Sequence, residues 1–331
     1  MKSPITGKEM PLKYELREVT FRKEQYTIPY QYYYCEDSDE QFVDTALDEQ
    51  NMQLLENHYR ARHHIPLPAE ITAIREQYGL SATRMGEILG FGPNTYGSYE
   101  KGDLPNPSNA KLLKVASDPA RFLDLIEDWE NADTKAGEKL KARVRELKVA
   151  RKNTYISLQN HLMGTETASK FTGFKRPDLS KLMAMTRYFA SLIPSYKTKM
   201  NKLLFYADFG MFKAHGRSIS GAQYRAIAYG PVPSRYEAVY ENMEQGDMLQ
   251  IDRSLNDDGG QVSLLRAKEE DFSGIFTDQE LQVLSKVAEK FKDMSPRDIV
   301  TLSHEEDCWK QNKEERSIIS YHGAFSLRGL D

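Results

Sequence analysis

The stretch LSATRMGEILGFGPNTYGSYEKG, Leu80–Gly102, decides how the middle of this chain is read. Ser81 suits a helix start, because its hydroxyl can accept from one of the backbone amides left unpaired there. Met85, Ile88 and Leu89 then share one side at helical spacing and form a buried stripe. Gly90-Phe91-Gly92 reads as a tight turn in which glycine relieves backbone strain. Pro93 suits the first position of a second helix. On that helix Tyr96 and Tyr99 face inward, Asn94, Thr95 and Ser98 face outward, and Lys101-Gly102 close the element. A short helix held by its neighbour and presenting small polar side chains can enter a DNA major groove by its N-terminal end. Asn94, Thr95 and Ser98 are therefore the candidates for base edges, and Thr83, Arg84 and Lys101 for phosphates. A helical hairpin with no nucleic-acid role is the alternative.

Around this segment, residues 69–128 read as a small helical bundle. Ala69–Tyr78 precedes the motif and ends at Gly79; Asn109–Ala116 and Pro119–Trp129 follow it. Upstream, Tyr14–Phe21 and Gln25–Cys35 are rich in Tyr, Val, Ile and Thr and read as a hairpin with Arg22-Lys23-Glu24 between the strands. Ala46–Ala61 reads as a helix with Leu47, Leu54, Leu55 and His58 on one side. Downstream, Gly137–Lys152 carries seven Lys/Arg against two acids, after an acid-rich stretch Asp118–Asp133. Leu140, Val144, Leu147 and Val149 are loosely periodic there, so this part reads as a solvated connecting helix, or else as an arm lying on DNA phosphates.

The last part reads as helices with a small antiparallel sheet. Leu179–Ile193, Lys197–His215, Asp278–Asp293 and Pro296–Thr301 are helical. Gln223–Ala228, Met248–Arg253 and Val262–Arg266 are strands, with a turn at residues 256–260. Gly230-Pro231-Val232-Pro233 reads as a rigid exposed turn. The fold class is α+β, mostly helical, in four stretches: a β-hairpin unit at 1–50, the helical domain at 51–130, a charged connection at 131–177, and a helical domain with a small sheet at 178–331.

The totals exclude several classes. The chain has 331 residues, 45 Lys and Arg against 49 Asp and Glu, and a formal net charge of −4, so any nucleic-acid contact is local. Two cysteines, Cys35 and Cys308, are too few for a disulfide framework. The start lacks a signal-peptide core, and no stretch nears the roughly 18 apolar residues of a membrane span. A cytoplasmic protein without membrane contact is expected. Phosphate-loop, zinc-protease and nucleophile-elbow motifs are absent, so no catalytic residue, metal site or cofactor is expected. His58, His63 and His64 read as surface or capping histidines.

Three resemblances widen this reading. Leu80–Gly102 resembles the Xre-type helix-turn-helix, whose second helix closes in an aromatic, Glu, basic, Gly pattern, here Tyr99-Glu100-Lys101-Gly102; Pro93 stands where that family places a polar residue. Tyr26 to Phe122 resembles the MqsA-like antitoxins through Tyr59-Arg60, His64-Ile65-Pro66, Ile71–Arg75 and Leu89–Gly92. That family holds zinc with two CxxC pairs. Here Ser3 and Thr6 replace the first pair, and Cys35 is followed by Ser38, so structural zinc is not expected. Leu179–Phe325 resembles the Panacea domain of SocA-like proteins through Lys202–Asp208, Gly216–Gly221 and Tyr229–Ser234, with Ser303-His304 and Trp309 later. The resemblance implies an antitoxin that neutralises a cognate protein toxin and, by binding double-stranded operator DNA as a homodimer, represses its own operon. A free-standing or phage-associated transcription regulator with a protein-sensing C-terminal domain is the alternative. Tyr206, Asp208, Arg217, Tyr229, Pro231 and Val232 are the candidate toxin contacts.

Overall fold

The computed structural model describes residues 1–150, 154–164, 167–255 and 260–330. The expected turn at 256–259 and the end of the expected basic helix at 151–152 lie outside the described residues, as does the side chain of Val149. The chain divides into two compact units: Met1–His58 with Gln159–Asp331, and Tyr59–Leu158. The architecture is α+β and mostly helical, as read from sequence.

The N-terminal part begins with β1 (Leu12–Phe21) and β2 (Glu24–Cys35), which pair antiparallel, and a short β3 (Glu40–Phe42) on the far side of β2. Arg22 and Lys23 both have positive φ, 48° and 69°, which matches the strand twist in a two-residue hairpin turn. Helix α1 (Thr45–Arg62) follows. The Asn51 amide exchanges hydrogen bonds with the backbone N–H and C=O of Gln31 at 2.9 and 2.8 Å. It thereby serves β2 as a strand would where β3 no longer reaches it.

The middle unit holds α2 (Pro68–Glu76), α3 (Ala82–Ile88), α4 (Thr95–Glu100), α5 (Pro107–Ala116), α6 (Pro119–Glu127) and α7 (Lys135–Ala150). Capping sets most of the starts. The Asn106 side chain accepts from the Asn109 amide and Pro107 takes the first helical position, so α5 begins two residues before the expected Asn109. Asp118 caps α6 in the same way. Ile71, Tyr78, Met85, Tyr96, Leu113, Phe122 and Ile126 form the core. Each such side chain contributes about 1.5–3 kcal/mol when fully buried. Leu140 and Val144 of α7 join this core, so the basic helix is packed on one face.

After α8 (Thr154–Met163) come α9 (Leu179–Leu192), β4 (Ser195–Tyr196), α10 (Lys197–His215), β5 (Tyr224–Ile227), β6 (Gly230–Pro233), α11 (Tyr236–Gln245), β7 (Gln250–Leu255), β8 (Gln261–Arg266), α12 (Asp278–Phe291), α13 (Pro296–Glu305), α14 (Asp307–Lys310) and a 3-10 turn at Tyr321–Ser326. Strands β4, β8 and β7 form one antiparallel sheet in that order, and β5 with β6 a second. Helix α10 is the centre of this unit: it is buried on every side from Lys199 to Phe209. A helix so placed must satisfy its polar groups internally. Lys199 donates to the carbonyls of Lys292 and Met294, and Asn201 accepts from the Tyr240 hydroxyl at 2.7 Å.

The N-terminal part packs into this same unit. Tyr14 lies against Phe325 with ring centroids 5.9 Å apart, and the Asn57 amide donates to the Gly216 carbonyl at 2.9 Å. His58 is half-buried, tilted against Phe174 and stacked on His322, so it is a packing contact and not the surface or capping histidine expected from sequence.

Candidate functional site

The helix-turn-helix is built as its residues dictate, with one correction at the turn. The Ser81 hydroxyl accepts from the Arg84 amide at 3.2 Å and starts α3. Met85, Ile88 and Leu89 are buried beneath it. Pro93 was expected to open the second helix, but α4 starts at Thr95. The Thr95 amide donates to the Gly92 carbonyl, and Asn94 has φ 62° and ψ −6°. Proline followed by a left-handed residue is the signature of a type II turn, so Gly92–Thr95 closes as one before the helix begins.

Tyr96 and Tyr99 face inward as expected, 1% and 7% exposed. Their hydroxyls are engaged: Tyr96 donates to the Ile71 carbonyl, and the Asn109 amide donates to Tyr99. α4 lies against α3 at Gly97, where a Cβ would stand in ordinary contact, 4.0 Å from that of Ala82. This contact brings the start of α3, with Thr83 and Arg84, beside the middle of α4, with Ser98. Thr83, Arg84, Asn94 and Lys101 are exposed; Thr95 and Ser98 are half-buried. Arg84 is engaged within the chain, paired with Glu87 at 2.9 Å and lying 5.1 Å from the Trp129 ring. The end of α4 is anchored by Arg60, which donates to the Gly102 carbonyl, and by an Arg75–Glu100 ion pair.

Sequence reasoning missed a cleft of about 290 Å³ in the same unit. Its lining includes Tyr59, His63, His64, Lys111 and Lys114. The signal lay in Lys111 and Lys114, three apart on α5, but nothing in the sequence joined them to the histidines at 63 and 64. Among the described residues, no group of three or more His, Cys, Asp or Glu is placed to hold a metal ion.

The six residues expected to touch a partner divide sharply. Tyr206 and Asp208 are 0% exposed, and Pro231 and Val232 are buried. The Tyr206 hydroxyl donates to Glu306 at 3.0 Å. Asp208 accepts from the amides of Ile219 and Ser220, both at 2.8 Å, and from the hydroxyls of Ser220 and Tyr224. Burial pushes its carboxyl up, and those donors oppose the shift. These side chains therefore hold the interior together; in this conformation a partner has nothing of them to touch. Gly230–Pro233 likewise is no exposed turn but a buried strand paired with β5. Its prolines are tolerated because β6 is one edge of a two-stranded sheet. Gly230 has φ 93°, and a Cβ there would lie 2.4 Å from the Ser303 hydroxyl and 2.6 Å from Lys202 Cε. Lys202 donates to the Pro231 carbonyl, and burial pulls its ammonium down to about 7.

Arg217 is half-buried and directed at Glu280, which also pairs with Lys181 at 2.6 Å. Burial raises the Glu280 carboxyl, but the neighbouring cations Lys175 and Lys181 outweigh it and the net shift is downward. Tyr229 alone of the six stands well out, 70% exposed, between β5 and β6. The hairpin beneath it is fixed by Trp309, whose indole N–H donates to the Ile227 carbonyl at 2.9 Å and whose ring stacks on His304.

Near the N-terminus, Ser3 Oγ lies 3.3 Å from Cys35 Sγ, and the amides of Ile5 and Thr6 donate to Ser3 Oγ at 3.2 Å. The hydroxyls of Ser3, then Ser38 and Thr6, pull the buried Cys35 thiol down to about 7. The four positions thus converge, but one thiol with three hydroxyls does not fit a structural zinc, which takes thiolate or imidazole donors.

Residues 71–117 match the family model described as helix-turn-helix. Residues 200–310 match the one described as antitoxin SocA-like, Panacea domain. The chain joins a helix-turn-helix segment to a Panacea-like segment. No curated protein and no solved structure matched it. The Panacea-like segment begins inside the buried α10 and ends at the close of α14, so it takes in the Lys202 and Asp208 networks, Tyr229 and Trp309. Among the described residues, no helix is long and apolar enough to cross a membrane.

Proposed function

We propose that this protein is the antitoxin of a type II toxin–antitoxin pair. The Panacea-like unit binds and neutralises a protein toxin. The helix-turn-helix binds operator DNA as a homodimer in the cytoplasm and represses the operon. The chain acts by binding, without catalysis and without a cofactor. The observation that carries this reading is the presence in one chain of a helix-turn-helix segment, on which Thr83, Arg84, Asn94 and Lys101 are exposed, and a Panacea-like segment of the antitoxin type. Linkage then makes the two activities reciprocal: if toxin binding weakens operator binding, operator binding weakens toxin binding by the same factor.

Tyr229 is the leading toxin contact, because an exposed aromatic on a fixed hairpin loses little entropy on binding. Residues 1–50 are read as an MqsA-like unit that has exchanged three of its four zinc ligands for hydroxyls, supported by the convergence of Ser3, Thr6, Cys35 and Ser38. Co-expression tests the proposal. A neighbouring gene that stops growth alone and is harmless beside this protein supports it; neighbours that are all harmless alone remove the antitoxin role.

A further inference from the structure

β1 is the outer strand of its sheet. Phe21 stands opposite Glu24 across the two-residue turn, and the Pro11 carbonyl accepts from the Tyr34 amide at 3.0 Å. Antiparallel strands alternate between bonded and non-bonded pairs. Both observations fix the same phase: odd-numbered residues of β1 aim their backbone groups at β2. Leu12, Tyr14, Leu16, Glu18 and Thr20 aim theirs outward. Among the described residues, nothing pairs with that outer edge. Side chains at these positions are also exposed, Leu12 by 49%, Tyr14 by 39% and Leu16 by 66%. A long open edge with exposed leucines is a surface for strand pairing.

We infer that this edge pairs antiparallel with β1 of a second copy of the chain, about a twofold axis at Leu16. This rests on the reading of the protein as a dimeric regulator and names the surface that makes the dimer. Only even-numbered residues aim their backbone groups outward, so each must stand opposite an even-numbered residue of the partner, which puts the axis through a residue and not between two. An axis at Glu15 or Arg17 would oppose like charges on the axis itself. With the axis at Leu16, Glu15 stands opposite the partner's Arg17 and Arg17 opposite the partner's Glu15, while Leu16 meets Leu16 of the partner subunit. Each Arg17 already pairs with Glu15 of its own chain at 2.6 Å. Joining two such pairs gives four charges of alternating sign. An axis at Tyr14 also matches charges but overlaps only residues 12–16, whereas the axis at Leu16 overlaps residues 12–20 and satisfies more of the open edge. Opposite charges and apolar pairs facing each other across antiparallel strands stabilise their pairing.

The test uses the full chain in sedimentation velocity, with light scattering as a check. The wild type sediments with twice the chain mass. Leu16→Lys places like charges on the axis, and Glu18→Pro removes an outward amide while sparing the bonds to β2; both sediment with a single chain mass and an unchanged circular dichroism spectrum. Leu16→Cys forms a disulfide-linked dimer on mild oxidation, whereas Val19→Cys, opposite the partner's Lys13, does not. Dimeric variants together with no crosslink at position 16 overturn the β1 interface and leave the dimer to another surface. A monomeric wild type overturns the interface and the dimeric reading together.

Discussion

Arg75 and Glu100 join the last turn of α2 to the last residue of α4 through an ion pair whose side chains are 21% and 14% exposed. The aromatic-Glu-basic-Gly ending therefore has a physical reason for its glutamate. It holds the short second helix, whose own six residues make too few hydrogen bonds to persist alone. Glu100→Ala should destabilise the middle unit by about 1–3 kcal/mol, since it leaves a largely buried guanidinium short of a partner. Arg75→Ala should cost a similar amount, and the double variant less than the sum. Urea unfolding of the four proteins in the cycle checks this; additive losses would show that the pair does not act as one.

The recognition face gives a prediction about DNA. Asn94 has a left-handed backbone, so Asn94→Gly keeps the turn while removing the amide side chain. If the amide reads a base, operator affinity falls by about 1–3 kcal/mol and specificity relaxes at one position. Lys101→Ala should instead weaken binding to every sequence and lower the salt slope by about one. Glu87→Ala releases Arg84 and should tighten binding at low salt. Titrations of labelled operator at several salt concentrations separate these outcomes.

Tyr229 and Tyr206 make a contrasting pair on the Panacea-like unit. Tyr229→Ala should leave stability within about 0.5 kcal/mol of wild type, as exposed changes usually do, while weakening neutralisation of the toxin. Tyr206→Phe should lower stability by about 1 kcal/mol through loss of its bond to Glu306. It should spare neutralisation. Melting curves paired with growth rescue tell the two apart, and full rescue by Tyr229→Ala would remove it from the interface.

Acid should loosen the larger unit through His322. Its Nε2 lies 3.2 Å from that of His58, so one ring must accept, and burial, with Lys170 nearby, depresses the His322 pKa to about 4. The unfolded chain then binds the proton more readily than the folded one. Stability from this group is complete above the ordinary histidine value near 6.5 and is lost as pH falls toward 4, by roughly 3 kcal/mol in all. Burial shifts His215 and His304 in the same direction. His322→Phe should therefore flatten the pH dependence of unfolding between those values without abolishing it.

The converging hydroxyls make a metal prediction. Purified wild type should hold far less than one zinc per chain by elemental analysis. Ser3→Cys, Thr6→Cys and Ser38→Cys together should restore four thiol donors and raise this to one zinc per chain. Ser3→Ala should raise the Cys35 pKa from about 7, followed by thiolate absorbance.

By itself the sequence determined the local elements. Apolar spacing and caps were enough to place Lys197–His215 at its observed bounds, to mark both strands of the N-terminal hairpin, and to set Met85, Ile88, Tyr96 and Tyr99 inward. Those features depend on neighbours within a turn or a strand pair, so short-range chemistry is sufficient. Tertiary structure alone decided what each polar residue does. Asp208 looked like a contact residue until Ile219, Ser220 and Tyr224 closed around it, and Gly230–Pro233 looked like a loop until Lys202 and Ser303 proved to lie beneath Gly230. Only the fold brings Tyr14 to Phe325 and His58 to His322, which makes residues 1–58 and 159–331 one compact unit. Such contacts join positions hundreds of residues apart, and no periodicity within a segment records which distant surface will cover it.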